Sequence, residues 1–183
     1  MAGISGGLGR HHVYSRGGQL WNVTPTSPST TYTGQISLVA TTPTFLIRMA
    51  EATAANRVLP LKMRLSQSGT VAGGNISVAI LMDNTDRLSG STGTIIEQAQ
   101  PYMRAGNTSA FTVRGNPTAT AASSAIRTLD SFEIIAQTGD ILEYDFDAET
   151  MIEGTGSILI YTWAATTGPT WKPLFQIAQE PML

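Results

Sequence analysis

The stretch Thr138-Gly139-Asp140-Ile141-Leu142-Glu143-Tyr144-Asp145-Phe146-Asp147-Ala148-Glu149 decides the fold class. A Thr-Gly-Asp turn opens it, and apolar and acidic residues then alternate with a period of two. Successive strand side chains point to opposite faces. Leu142, Tyr144, Phe146 and Ala148 therefore read as a core face, and Glu143, Asp145, Asp147 and Glu149 as a solvent face. A helix would scatter both sets around its axis.

Outward from this stretch the chain repeats the pattern of short strands and turns. Candidate strands are 35–40, 44–50, 57–66, 75–82, 109–115, 132–137, 140–146, 157–164 and 173–177. Gly-, Asn- and Asp-rich turns lie between them, and no βαβ rhythm appears. The reading is all-β: a jelly roll or β-sandwich. Two segments carry helix signals. In 94–101, Thr94 and Glu97 stand in capping-box register before Pro101. In 116–129, Asn116 is a candidate N-cap and Pro117 a first helical residue. The segment 45–55 fits strand or helix.

The composition agrees. The 183 residues hold 25 Thr and 15 Ser but only 13% charged residues, and their net charge is −2. Thr favours strands and Ser favours turns. A chain of this length forms one domain, with room for a tail. The slight negative charge offers no general attraction to nucleic acid or an anionic membrane. No apolar run approaches the ~18 residues of a membrane span. The N-terminus lacks the apolar core of a secretory signal, so synthesis is expected in the cytoplasm. With no cysteine, disulfides, zinc ribbons and a Cys nucleophile are excluded.

Residues 1–33 read as an extended Gly/Pro-rich arm ahead of a jelly-roll domain at 34–183 with an ordered C-terminal tail. Gly3, Gly6, Gly7, Gly9, Gly17 and Gly18 give way to a Pro/Ser/Thr-rich stretch with Pro25 and Pro28. Such an arm folds back on its own body or clasps a neighbour. Val13, Tyr14, Leu20 and Trp21 are its candidate interface anchors, with Met182 and Leu183 at the other terminus. The strands 75–82 and 157–164 are apolar on both faces, unlike strands of an isolated two-layer sandwich. The arm, the insertions or a second copy must cover them. A homo-oligomer, most simply a trimer, follows from that exposed surface.

Chemistry is sparse. The only histidines, His11 and His12, are adjacent, so an extended chain points them apart. A Ser–His–carboxylate site lacks a rigidly placed base. The row Glu143, Asp145, Asp147, Glu149 is a candidate cation site, but Arg contacts from a neighbour, such as Arg48 or Arg104, fit four like charges better. The nine Arg against two Lys suit interfaces. The stretch 83–90, DNTDRLSG, opens like a calcium loop, yet Arg87 occupies a ligand position. Neither a dinucleotide loop nor a phosphate loop is present. No catalytic residue, metal or cofactor is assigned.

The arm at 1–33, the Cys-free Thr/Ser-rich body, the Thr138-Gly139-Asp140 turn leading into Ile141 to Phe146, and the apolar tail together resemble bacteriophage virion proteins. The nearest type is the capsid decoration, or cement, protein with a jelly-roll body. That resemblance implies attachment to the major capsid protein outside the shell, at capsomer junctions, as trimers. It implies no enzyme activity, nucleic acid or membrane partner. A head–tail adaptor, tail or fibre-base protein is an alternative. So is a carbohydrate-binding module using Trp21, Trp163 and Trp171.

Overall fold

The computed structural model describes residues 14, 19–51, 53, 55–69, 74–99, 108–137, 139–147 and 149–182. Among the described residues between Leu20 and Pro181 every regular element is a strand. These are β1 Leu20–Val23, β2 Tyr32–Thr33, β3 Phe45–Ala50, β4 Asn56–Gln67, β5 Asn75–Asp83, β6 Thr94–Ile96, β7 Gln98–Ala99, β8 Phe111–Gly115, β9 Arg127–Ile135, β10 Ile141–Asp145, β11 Ile152–Glu153, β12 Thr155–Trp163 and β13 Thr170–Pro181.

Two sheets form. The first runs β10-β4-β13-β1-β7, with β2 beside β13 and β11 beside β4. The second runs β6-β8-β3-β12-β5-β9. All pairings between these strands are antiparallel, and four of them nest: β1 with β13, β3 with β12, β4 with β10, and β5 with β9. This nesting, with partners alternating between two sheets, is the jelly-roll wrap. The expected fold class is the observed one.

The residues that point between the sheets form the main core. Phe45, Ile47 and Met49 of β3, Met63 and Leu65 of β4, Ile76, Val78 and Ile80 of β5, and Trp171, Phe175 and Ile177 of β13 are all essentially inaccessible. Their spacing of two is the sandwich signature. Phe45 takes Tyr32 and Phe175 edge-on at centroid distances of 5.6 and 5.4 Å.

Between β5 and β9 the chain makes an excursion. Residues 84–93 climb the outer face of the second sheet, β6 to β8 extend both sheets at one side, and residues 116–126 return across the same face. Leu88 and Ala119 meet there in an antiparallel bridge and bury Leu46, Ala79, Leu159 and Tyr161. The doubly apolar strands 75–82 and 157–164 are thus covered largely by the chain's own insertion. The apolar pattern alone gives no reason for a second copy.

Both helix expectations fail, and tertiary pairing explains each. At 94–101 the capping signal is overridden because Thr94 to Ile96 pair with β8, while Gln98 and Ala99 pair with β1. At 116–129, Asn116 has φ +49°, which is not the extended conformation of an N-cap. Its side chain instead binds the backbone of Thr33, donating to its carbonyl at 2.5 Å and accepting from its N–H at 3.3 Å. The segment 45–55 resolves as strand over Phe45–Ala50. The expected strand at 35–40 is a loop. Gln35 forms one bridge to Trp163, and the chain then turns back toward β3.

The arm boundary expected at residue 33 is not a structural boundary. β1 lies inside the first sheet between β13 and β7, and β2 also pairs with β13. Leu20, Trp21, Val23 and Tyr32 are all buried in their own chain.

Candidate interaction surfaces

The acidic row divides in two. Leu142 and Phe146 are buried, Tyr144 is half-buried, and Glu143 and Asp145 face solvent, as the alternation requires. β10 ends at Asp145, and a turn closed by the Thr150 N–H on the Asp147 carbonyl (3.0 Å) carries Asp147 and Glu149 off the strand. Glu143 is answered across β4. The Lys62 ammonium donates to it at 2.8 Å, and Arg64 Nε stands 3.8 Å away. The Lys62 hydrogen bond, aided by both cationic charges, holds the Glu143 carboxyl below its ordinary range. The basic partners therefore come from the neighbouring strand of the same chain. Arg48 is instead paired with Asp86 at 2.7 Å. Arg104 lies outside the described residues. Among the described residues no three His, Cys, Asp or Glu side chains assemble as metal ligands.

His11, His12, Val13 and Leu183 also lie outside the described residues. Tyr14 packs on Leu20, Leu59, Leu61 and Ala178 at the outer face of the first sheet. Trp21 is 7% exposed and meets the edge of Phe111 at 6.2 Å. Met182 remains 39% exposed. Trp171 is fully buried, its indole N–H donating to Thr162 Oγ1 at 2.9 Å. With Trp21 and Trp171 both in the core, the three tryptophans form no exposed sugar platform.

The sequence DNTDRLSG contains a signal that sequence reasoning assigned only negatively. Arg87 is not a misplaced ligand; it is the partner of Asp83. The Arg87 guanidinium donates to Asp83 Oδ2 at 2.9 Å and to the Thr120 carbonyl at 3.0 and 2.6 Å. Both side chains are essentially inaccessible. Asp83 also accepts from the Ser123 N–H, the Ser123 hydroxyl and the Thr85 N–H and hydroxyl. Burial alone would raise the Asp83 pKa, but these hydrogen bonds outweigh it and lower the pKa to about 2. The cluster fastens both crossing segments of the insertion to β5. Its lone pairs and donors are spent on that task, so it is a structural staple.

One end of the sandwich differs from the other. The described residues of the loops 34–44, 68–74, 136–140 and 164–169 lie there, beside strand ends that the registers place together. These loops contain a single charged residue, Asp140. Ile36, Leu38 and Val39 are 61%, 54% and 39% exposed on the first of them. Ile135 and Ile141 flank the third and are exposed as well. Large aliphatic side chains exposed on and beside loops that carry one charged residue mark a candidate interaction surface. No sequence signal distinguished these residues from core. Their alternation in 35–40 reads as a strand, and only the absence of a sheet partner turns them outward. Behind this end Gln67 is buried with neither amide atom hydrogen-bonded.

The comparisons with known proteins add little. No family model matches the chain, and no curated protein matches it. Among solved structures, the infectious bursal disease virus VP2 subviral particle overlaps it at a TM-score of 0.19 and 13% identity, covering 89% of this chain. The chain spans 42% of that protein's length. A likeness at that level bears on neither topology nor function.

Proposed function

We propose that the chain is a virion structural protein of the decoration, or cement, type. In this reading it is made in the host cytoplasm, binds the major capsid protein on the outside of a phage shell at capsomer junctions, and does so as a homotrimer. The observation that carries the reading is the loop end with a single charged loop residue, Asp140, where Ile36, Leu38, Val39, Ile135 and Ile141 are exposed. It suits docking on a protein surface. The jelly-roll wrap recurs in viral capsid and lectin domains, and fold alone does not choose between them. The burial of Trp21 and Trp171 favours the virion reading over the lectin one. The polar clusters described above are saturated by their own partners, which favours a structural role over catalysis. A head–tail adaptor, tail or fibre-base protein would use the same surface at lower copy number.

The test uses particles lacking the protein. Full-length chain and the double substitution Ile36→Asp with Leu38→Asp are added, and bound copies are counted. Loss of two central apolar contacts at about 1 kcal/mol each weakens attachment ~30-fold. Both substitutions fall on an exposed loop, so the melting temperature should hold. Saturation of the shell by the folded double variant at wild-type concentrations defeats the proposal.

A further inference from the structure

We propose that copies of this chain join through a groove on the outer face of the first sheet, which receives the acidic turn of a second copy. The contact deepens the homotrimer of the preceding section and does not depend on the shell. The groove, about 460 Å³, runs between the β1–β2 link and the outward side chains of β4 and β13. Pro25 and Pro28 form one wall, Leu174 an apolar floor, and Arg64, Ser66 and Lys172 the polar side. Lys172 is exposed and meets no carboxylate among the described residues. Among the described residues Arg64 has only Glu143, at 3.8 Å, and that carboxylate is already held by Lys62 at 2.8 Å. The groove thus keeps two cations without close counter-charges, on a chain whose net charge is negative.

The matching charge lies elsewhere on the same chain. Asp145, Asp147 and Glu149 are exposed and form no ion pair with described residues. The Asp147–Thr150 hydrogen bond shapes their segment as a turn. The acidic turn does not reach Lys172 of its own groove. Lys172 and Ser66 stand level with Ile141 at one end of β10, whereas the acidic turn begins beyond Asp145 at its other end. Four strand residues separate them, roughly 13 Å before the turn even starts. Two different patches that complement each other make a heterologous contact, which closes into a ring where the rotation between copies allows it and otherwise runs on as a filament. Charge pairing of this kind sets register and association rate, and salt weakens it.

The experiment is sedimentation of the full chain over a range of concentrations, at low and high salt. Three variants accompany it: Arg64→Glu with Lys172→Glu, Asp147→Lys with Glu149→Lys, and all four together. All four positions are exposed, and thermal melts check that each variant folds. The wild type should associate, less at high salt. Each double variant should associate at least ~10-fold more weakly, because like charges now face each other. The quadruple variant, whose charges are exchanged and complementary again, should recover most of the loss. Double variants that associate as the wild type does, or a quadruple variant that recovers nothing, overturn the contact. A wild type that stays monomeric throughout overturns both this contact and the homotrimer, while the particle-binding count still judges shell attachment on its own.

Discussion

How much of the N-terminal segment can be removed before the domain fails is a sharp test of where it begins. Removing residues 1–18 takes away the Tyr14 contact with Leu20, Leu59 and Leu61 and leaves both sheets intact. Removing residues 1–33 deletes β1 and β2. With them go Leu20, Trp21, Val23 and Tyr32, each less than 10% exposed. A fully buried side chain of this kind contributes about 1.5–3 kcal/mol, so the four amount to roughly 6–12 kcal/mol. The pairings of β13 with β1 and β2 are lost as well, and so is the pairing of β7 with β1. Domains of this size are stable by only about 5–15 kcal/mol. Chain 34–183 should therefore be insoluble or melt tens of degrees below the full protein. Chain 19–183 should melt within a few degrees of it. Circular dichroism melts and urea titrations of the purified truncations provide the measurement. A cooperative transition for 34–183 close to that of the full chain would refute the integral role of β1 and β2.

Three further expectations follow from particular side chains. Asp83 has a native pKa depressed to about 2 from the ordinary 3.8, so its contribution is complete above pH 3.8 and is lost as pH falls toward 2. That is about 2 kcal/mol, visible as a lower urea midpoint at pH 2.5 than at pH 5. Asp83→Asn should remove this component of the pH dependence and destabilise the domain by about 3–5 kcal/mol by leaving Arg87 buried without its counter-charge; an unchanged pH profile in the variant contradicts the assignment. Gln67→Leu replaces a buried, unsatisfied amide by an apolar group of similar size and should stabilise by about 1–2 kcal/mol, whereas a drop in melting temperature would show that the amide has a partner in solution. Gly115→Ala would drive a Cβ into the Tyr32 ring and should destabilise by about 1–3 kcal/mol, a loss that Tyr32→Ala in the same chain should not add to in full.

Legibility in the sequence tracked how local the cause was. The alternation in 140–146, the apolar runs in 75–82 and 157–164, and the strand at 44–50 announce themselves within a few residues. Their layering as a jelly roll followed from strand density and turn spacing. β1 and β2 were hidden because a four-residue and a two-residue strand carry no periodicity. Leu20, Trp21 and Val23 are strand residues only because β13 offers them a partner. Asn116 shows the reverse: a good local cap signal was overruled by a bond to Thr33, distant in sequence. The candidate surface was the least visible part. Ile36, Leu38 and Val39 look like core until the loop they occupy is known, and the Arg64–Lys172 groove exists only once β4 and β13 lie side by side.

The nested pairing also has a consequence in time. β1 leaves the ribosome long before its strand partner β13, with Leu20 set against Ala178. At about 5–20 residues per second, Trp21 waits some 8–30 s before the strand that holds it exists. The first sheet cannot close on a nascent chain, and pairings of such long sequence separation fold slowly even after release. A groove built from β4, β13 and the β1–β2 link therefore forms only after β13 has been made. Whatever assembles through it is recruited from chains that already carry β13, and a product truncated before that strand is barred from the assembly without any separate inspection step.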